Sequence, residues 1–502
     1  MGIARKFMRS LNKVQVNIPD ESVALACRIS RIVAAVGFAM TPFAANAANP
    51  GIVKVSGQEY LGDGQNVAHI YADAVLSQEV GLNTFNKFNV DAGKIANMYF
   101  KKENGTQWVN NLVNVVNDRI NVNGTVNAIQ NSKIGGNLIF LSKDGFAVGK
   151  SGVVNAGSLS VMTPTSEYFV KAGLASWVDG ATEDIANGAI DFINIFGANE
   201  SHVDIDAFQK TFLVNNWAEI KSMNVPINKT GTISIKGKIN TTEGIALKAA
   251  HIEIGENPNT GELAAAVLQT GVTNFSSLVN TSDIENYDAT LKIQQTASGD
   301  IVLEAVAGTV NVKDESYAPL GTEVLGSNPQ GYNVVKADVN IHKGSSIIAV
   351  GDIDITADAT NGAGQSGLFG ADIEGINLAD LVGSMAKTVA EVNVNGHVTA
   401  NTIELPATGE DGNKTTEIVG GNINIHAGAE NTYVAGALSD PTAFAAGMIK
   451  ELIPLDSDLS LVFLESEATV NVGADAVITA NSTRKDDIEE TLGWEIGDIE
   501  LT

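Results

Sequence analysis

From about residue 94 onward, apolar and polar residues alternate with a period of two, and glycine or asparagine interrupts the alternation every few positions. Residues 120–126 and 136–141 show this pattern, and 231–239 and 392–400 repeat it. Successive side chains of a strand point to opposite faces of a sheet, whereas an amphipathic helix needs a longer period. The pattern therefore predicts many short strands, each with one buried face, joined by tight turns.

The recurring unit has the form apolar-x-apolar-x-Gly-x-apolar-x-apolar and returns at 244–254, 337–357, 421–427 and 468–480. A repeat of roughly 20 residues cannot bury its apolar face alone, so such repeats stack on one another. The sequence thus predicts an all-β fold, a right-handed parallel β-helix or solenoid. Inward Val, Ile and Leu would form ladders, while outward Asn, Thr and Asp would face water. An array of immunoglobulin-type sandwiches is the alternative, but it would have longer strands and more aromatic residues than the 6% found here.

Four stretches break the alternation, at 166–222, 260–282, 366–390 and 440–455. Apolar residues have helical spacing within parts of them, at 174–178, 186–195, 378–389 and 444–452. We expect short helical or loop excursions from the corners of the coils. Separate small helical domains are the alternative, which the shortness of the stretches disfavours.

The N-terminus has the three-part layout of a secretory signal peptide. A long basic region precedes the apolar run 32–40, and positions 45–47 carry Ala-Asn-Ala, a small-x-small cleavage motif. The apolar run is shorter than the roughly 20 residues that span a bilayer, although an N-terminal membrane anchor is the alternative. We expect cleavage between Ala47 and Ala48, which would also remove Cys27, the one cysteine of the chain. A mature chain without Cys fits a protein that crosses a second membrane unfolded.

The chain is acidic, with 58 Asp and Glu against 31 Lys and Arg. Nucleic-acid binding needs clustered Lys and Arg that neutralise phosphates, and no such cluster follows residue 31. We therefore expect no nucleic-acid partner. No segment of the mature chain is apolar over the 18 or more residues typical of a membrane helix, so we do not expect an integral membrane protein.

Motifs for catalysis or for cofactor binding are weak. Residues 145–151 look like a phosphate loop, but the loop is one residue short and continues into a strand. Asp352 and Asp354 share the outward face of one strand and could bind a metal ion, but such acidic faces are usually just solvated. The His residues lack metal-binding spacing, and three are predicted to face solvent: His342, His397 and His426. We expect no enzyme activity, no cofactor and no metal.

Three motifs resemble the secretion domain of two-partner-secretion exoproteins of the filamentous-haemagglutinin type. They are an Asn-rich Phe-x-x-Phe segment at 83–90, an arginine before a strand at 118–125, and a Gly-rich entry into an apolar strand with a polar turn at 135–149. Their order and spacing match the family. The family's frequent Asn-Pro-Asn-Gly turn is replaced by Ser-Lys-Asp-Gly at 142–145, which is similar to the leukotoxin-like branch of filamentous adhesins. Asp and Gly still favour a turn there.

The resemblance implies that an outer-membrane β-barrel transporter recognises the motif residues while the chain is still extended. The candidate residues for this secretion motif are Asn83, Phe85, Phe88, Arg119, Asn121, Gly124, Gly136, Asn137, Asp144 and Gly145. The alternative for Phe85, Phe88 and Arg119 is that they are core and cap residues at the end of a β-helix. The resemblance divides the chain into a signal peptide at 1–47, a secretion domain at 48–255 and further β-helix repeats at 256–502.

The family role implies a non-enzymatic secreted adhesin, or its N-terminal portion, on the surface of a diderm bacterium. It would bind a host-cell or surface receptor. A leukotoxin-type toxin is the first alternative. A β-helical carbohydrate-active enzyme is the second, although a lyase would need a cluster of basic and acidic residues on one coil face that the sequence does not show. The strand pattern continues to 498–502, which favours a fragment or an early-truncated reading frame.

Overall fold

The computed structural model of the chain describes residues 50–75, 79–165, 219, 221–222, 225, 227–256, 265–288, 291, 293–308, 332–364, 372–373, 376–377, 381–408, 414–434, 459–481 and 499–501. The predicted signal peptide, with Ala47, lies outside these residues, as does Ala48. The helical spacings predicted at 174–178, 186–195 and 444–452 also lie outside them.

Most strands, numbered in chain order, belong to three parallel ladders, A, B and C. Ladder A contains β5 (Val80–Val90), β7 (Asn111–Val116), β11 (Asn137–Leu141), β14 (Ser158–Met162), β17 (Ile245–Ala249), β20 (Ile301–Gly308), β23 (Ile353–Gly364), β29 (Ile423–Val434) and β32 (Ile499–Leu501). Ladder B contains β3 (Val67–Tyr71), β6 (Ile95–Tyr99), β9 (Thr125–Gln130), β13 (Val153–Ala156), β16 (Lys238–Thr241), β19 (Val267–Gln269), β22 (Ser346–Val350), β27 (His397–Thr408) and β31 (Val477–Asn481). Ladder C begins at the end of β5 and contains β8 (Ile120–Val122), β12 (Phe146–Val148), β15 (Thr232–Ile235), β18 (His251–Ile254), β21 (Tyr332–Ile341), β26 (Leu381–Val394) and β30 (Leu459–Val472).

The chain enters the ladders in a fixed rotation of A, C and B, so each strand pairs with the equivalent strand of the previous turn of the rotation. The prediction of an all-β fold is confirmed. Large parallel sheets built in this way are consistent with a parallel β-helix. Among the described residues, helical structure amounts to the 3-10 turn Thr281–Asp283 and to Glu219 and Lys221.

The remaining strands pair antiparallel. They are β1 (Ile52–Lys54), β2 (Glu59–Tyr60), β4 (Ala74–Val75), β10 (Lys133–Ile134), β24 (Asp372–Ile373), β25 (Ile376–Asn377) and β28 (Lys414–Gly420). Strands β1 and β4 both pair with β5, the first strand of ladder A. They cover its backbone hydrogen-bonding groups, which would otherwise form an open sheet edge.

The main core lies between the ladders and consists of aliphatic side chains in register. One column of ladder B contains Val126, Val154, Ile239, Leu268, Ile347 and Val398, all fully buried. Burying a Val, Leu or Ile side chain contributes roughly 1.5–3 kcal/mol. The stacking of equivalent residues therefore buries apolar surface that a single coil could not bury alone.

The helix prediction for 378–389 is wrong, because Leu381–Val394 forms strand β26. This strand pairs in parallel with β21 on one side and with β30 on the other. Val389, Val392 and Val394 are buried, and β-branched residues suit a strand that has partners on both edges. The local apolar spacing of this segment fits either a helix or a strand. Pairing with strands from distant parts of the chain decides in favour of the strand.

The predicted excursion at 260–282 also contributes a strand, because Val267–Gln269 joins ladder B. The chain then leaves the ladders, and residues 271–288, here called the cover segment, pack on the outer face of ladder B. Apolar side chains on both sides form a second small core: Tyr99, Ile129, Ile134, Val272, Phe275, Val279 and Ile284. The excursion is therefore a packed part of the fold.

The prediction that outward Asn residues face water is wrong beneath the cover segment. Asn97, Asn127, Asn155 and Asn240 are each at most 5% exposed. They form a continuous column in which each Nδ2 donates to Oδ1 of the preceding residue at 2.9–3.0 Å. The column ends where Nδ2 of Asn97 donates to the backbone oxygen of Asp283 at 2.5 Å. Buried amides are stable there because neighbouring coils satisfy them.

Candidate functional site at the start of the ladders

The N-terminal strands hold a buried ion pair next to Asn83. Lys54 is 3% exposed, and its Nζ lies 2.5 Å from Oδ1 of Asp73 and donates to the backbone oxygen of Tyr71 at 2.8 Å. The same ammonium group donates to Oδ1 of Asn83 at 3.3 Å and lies 5.9 Å from the ring centre of Phe85. A buried ion pair requires further hydrogen bonds to offset its desolvation. Asn83 supplies one of these hydrogen bonds, so the first motif is joined to the antiparallel strand β1, which contains Lys54.

Three predicted motif residues, Asn83, Asn121 and Asn137, belong to stacked amide pairs that link successive coils. The hydrogen bonds from Nδ2 to Oδ1 are Asn83 to Asn114 (3.0 Å), Asn121 to Asn89 (3.0 Å) and Asn137 to Asn111 (2.7 Å). Each pair joins residues 26–32 positions apart in the chain. The structure therefore brings the three sequence motifs together in adjacent coils.

Phe85 and Phe88 lie in the main core and are fully buried. Their ring centres are 5.1 Å apart in an edge-on arrangement, and Phe88 lies 5.3 Å from Phe140, which in turn lies 5.6 Å from Phe146. This aromatic row connects the first and third motifs. In the folded protein the two Phe side chains act as core residues, and their recognition during export stays a prediction.

Arg119 is half-buried at the entrance to β8. Its Nε is shielded from solvent and has no hydrogen-bond partner among the described residues. Burial lowers the pKa of the guanidinium group, because a low-dielectric environment disfavours the charged form. Burial therefore works against the charged form of Arg119 in the folded protein.

The glycines of the motifs stand where a side chain would clash. A Cβ on Gly124 would lie 2.2 Å from the backbone oxygen of Lys94. Gly136 and Gly145 have positive φ of 78° and 106°, which disfavour residues with a Cβ. Asp144 is exposed in the same turn and forms an ion pair with Lys143 at 2.9 Å, as expected for a turn residue.

A network of His, Asn and carboxylate side chains lies on the outer face of ladder C. Nδ1 of His251 lies 2.5 Å from Oδ1 of Asp338, and Nε2 of His342 lies 2.5 Å from Oε2 of Glu253. Nδ2 of Asn340 donates to both carboxylates, at 2.6 Å and 2.9 Å. The side chain of His342 is 13% exposed, so the prediction that it faces solvent is wrong. The carboxylate of Glu253, on the neighbouring strand β18, lies against its imidazole ring.

No group of three or more His, Cys, Asp or Glu side chains in the described part of the chain could hold a metal ion. Asp354 is one of the two acids that were candidates for such a site. Burial raises the pKa of its carboxyl group, and Lys221 opposes this increase. The other, Asp352, accepts a backbone hydrogen bond from Asn422 at 3.0 Å.

Sequence reasoning missed the residues that support the motif. Lys54, Asp73 and Asn114 have no motif of their own, and each becomes visible only when the register of the coils is known. Asn114 also donates to the backbone oxygen of Ile139 at 3.2 Å. The available signal was the abundance of Asn, with 48 residues in the sequence, since a stacked amide can donate to one neighbour and accept from the other.

Comparison of the chain with protein-family models, with curated proteins and with solved structures finds no significant match. Within the described residues, no helix has both the length and the apolar character needed to cross a membrane.

Proposed function

We propose that the chain is a secreted exoprotein, a filamentous adhesin or its N-terminal portion, that folds as a right-handed parallel β-helix. The signal peptide would be cleaved between Ala47 and Ala48. A two-partner-secretion β-barrel transporter would then carry the chain across the outer membrane. Attachment to a surface or to host cells is its proposed role, without catalysis. We propose the right hand because parallel crossover connections strongly prefer it.

The observation that supports this proposal best is the contact between the three secretion-like motifs. Residues 83–90, 118–125 and 135–149 lie in adjacent coils, where Asn83, Asn121 and Asn137 each hydrogen-bond to a neighbouring coil. A unit of this kind at the start of the ladders can act as the first folded coils, onto which later coils stack as the chain emerges. Side-chain recognition by the transporter would precede that folding.

Arg119 gives the sharpest test, because its role in export can be separated from its role in stability. We expect Arg119→Met to lower the amount of protein outside cells that also express the transporter. The unfolding midpoint of the purified variant should stay the same or rise, since removal of a half-buried charge without a partner for Nε costs little. Phe88→Ala is the structural control, for which we expect a loss of about 3–5 kcal/mol.

Two outcomes would contradict the proposal. One is normal secretion of Arg119→Met, which would remove the residue from the export signal. The other is a fall in stability that matches the fall in secretion, which would make Arg119 a cap residue of the fold.

A further inference from the structure

The amine of Lys54 is a nucleophile in the interior of the fold that the proposed export does not use. Buried and half-buried residues alternate along β1, so Lys54 takes an inward position that an apolar side chain would normally occupy. The register against β5 shifts between Val53 and Lys54 and places Lys54 opposite Phe85. Only 4% of the Lys54 side chain is exposed, so its amine contacts protein groups rather than bulk water.

The side-chain amide of Asn83 is the group that this amine can attack. Asn83 is fully buried, and its Oδ1 accepts hydrogen bonds from Nζ of Lys54 at 3.3 Å and from the backbone N–H of Asp73 at 3.1 Å. Cγ of Asn83 is bonded to this oxygen, and a rotation of the amide turns the face of Cγ towards Nζ. Both donors stabilise the negative charge that develops on Oδ1 when a nucleophile adds to Cγ. The amide is thus polarised for attack.

Asp73 is placed to move protons between the two groups. Its Oδ1 lies 2.5 Å from Nζ of Lys54, and its Oδ2 accepts a hydrogen bond from the backbone N–H of Thr84 at 2.9 Å, which holds the carboxylate in place. The rings of Tyr60 and Phe85 lie 6.0 Å and 5.9 Å from Nζ and restrict the access of water. A carboxylate at hydrogen-bond distance from the group that it deprotonates meets the geometric requirement for a general base.

We propose that Lys54 and Asn83 form an isopeptide bond, with Asp73 as the general base and general acid. The electron pair of Nζ forms a bond to Cγ of Asn83, and the bond from Cγ to Nδ2 breaks. Two protons pass from Nζ through the carboxylate of Asp73 to Nδ2, which leaves as an ammonium ion. Nothing is oxidised or reduced, and no co-reactant is needed. The fold lowers the barrier by holding the reacting groups next to each other.

The bond ties the antiparallel strand β1 to the first strand of ladder A. Lys54 and Asn83 are 29 positions apart in the chain, so the link closes this segment into a loop. Because the three groups meet only when β1 packs on β5, the bond forms after the first coils have folded. A cross-link of this kind restricts the unfolded chain, so the start of the ladders should open less readily. The inference goes beyond the proposed export and does not depend on it.

The test is mass spectrometry of the purified full chain, before and after digestion. We expect the intact mass to be lower by one ammonia molecule than the mass calculated from the sequence and the observed N-terminus. Trypsin should leave the chain uncut after Lys54, because the bonded Nζ carries no charge. Further cleavage after Glu59 and Glu79 separates Lys54 from Asn83 along the chain. The two peptides then stay together only if a bond joins their side chains.

Two variants and a matched control test the roles of the residues. Lys54→Arg keeps the positive charge but has no amine that can form the bond, so its two peptides should separate. Asp73→Asn removes the general base, so the linked fraction should fall at least about tenfold. Lys94→Arg is the control, because Nζ of Lys94 donates to the backbone oxygens of Leu61 and Gly62. It should leave the cross-link unchanged.

The unchanged protein alone can overturn the inference, even if a variant fails to fold. It does so if the intact mass is the full sequence mass and trypsin cuts after Lys54. Loss of one water molecule, with Lys54 joined to the peptide that contains Asp73, would overturn it as well, because Asp73 would then be the reacting partner. Undiminished cross-linking in Asp73→Asn would contradict the assigned general base. All these measurements use purified protein, so they are independent of the export test of Arg119→Met.

Discussion

The buried Asn column under the cover segment allows a stability prediction with a defined magnitude. Asn127 is 2% exposed; its Nδ2 donates to Oδ1 of Asn97 at 2.9 Å, and its Oδ1 accepts from Nδ2 of Asn155 at 2.9 Å. Asn127→Ala removes both bonds and leaves one buried acceptor and one buried donor without partners. Each such group costs about 1–3 kcal/mol, so we expect a loss of roughly 2–6 kcal/mol in the free energy of unfolding.

Asn471 provides the matched control, because it makes the same kind of bond at an exposed position. Its Nδ2 donates to Oδ1 of Asn393 at 2.8 Å, but water can replace that bond after truncation. We expect Asn471→Ala to change stability by less than about 1 kcal/mol.

The assay is urea unfolding of both variants, together with hydrogen exchange of the backbone amides of β6, β9 and β13. Exchange is needed because coils of a solenoid can open separately, so that a local loss need not appear in one global transition. Faster exchange around Asn127 with unchanged exchange in the C-terminal coils is the expected pattern. Equal effects of the two substitutions, or no effect of Asn127→Ala, would refute the idea that burial makes the amide column stabilising.

The cover segment and two acidic residues give further predictions. Phe275 is 1% exposed in the second core, so Phe275→Ala should lower the free energy of unfolding by about 3–5 kcal/mol. It should also speed hydrogen exchange of the backbone amides at 271–288. Leu278 is 43% exposed, so Leu278→Ala should have neither effect. Burial raises the pKa of Glu243, so its ionisation destabilises the folded state as pH rises; Glu243→Gln should raise the melting temperature at neutral pH and have no such effect below about pH 4. Ion pairing with Lys150 and Lys236 lowers the pKa of Glu256, so Glu256→Gln should instead lower the melting temperature at neutral pH, and the same sign for both variants would contradict the assignment.

The sequence predicts strand content well where alternation and glycine agree, as at 136–141, because β11 occupies Asn137–Leu141. It fails at 378–389, where apolar spacing fits a helix but β26 lies between two ladder neighbours. Local spacing contains no information about partners from distant coils. A short apolar run can therefore be assigned correctly only when the neighbouring coils are known.

The candidate site shows the same limit. The turn at Gly145 and the tight corner at Gly124 could be predicted, because each requirement is local. The ion pair of Lys54 with Asp73 could not, since it depends on the register of β1 against β5. The packing of the cover segment on Tyr99 joins residues 186 positions apart, a separation that no repeat in the sequence indicates.

The abundance of Asn has a physical reason that also bears on the proposed export of the chain. An Asn side chain carries a donor and an acceptor, so identical residues at one position of successive coils can bond to each other at the spacing of parallel strands. In an unfolded chain the same amides bond to water, and they favour extended or turn conformations over helices. Asn127 thus has a hydrated state before folding and a satisfied buried state after it. Leu or Val at such positions would stabilise stacked coils too, but it would also promote collapse of the unfolded chain. Asn columns therefore suit a chain that must stay extended until its coils can stack in order.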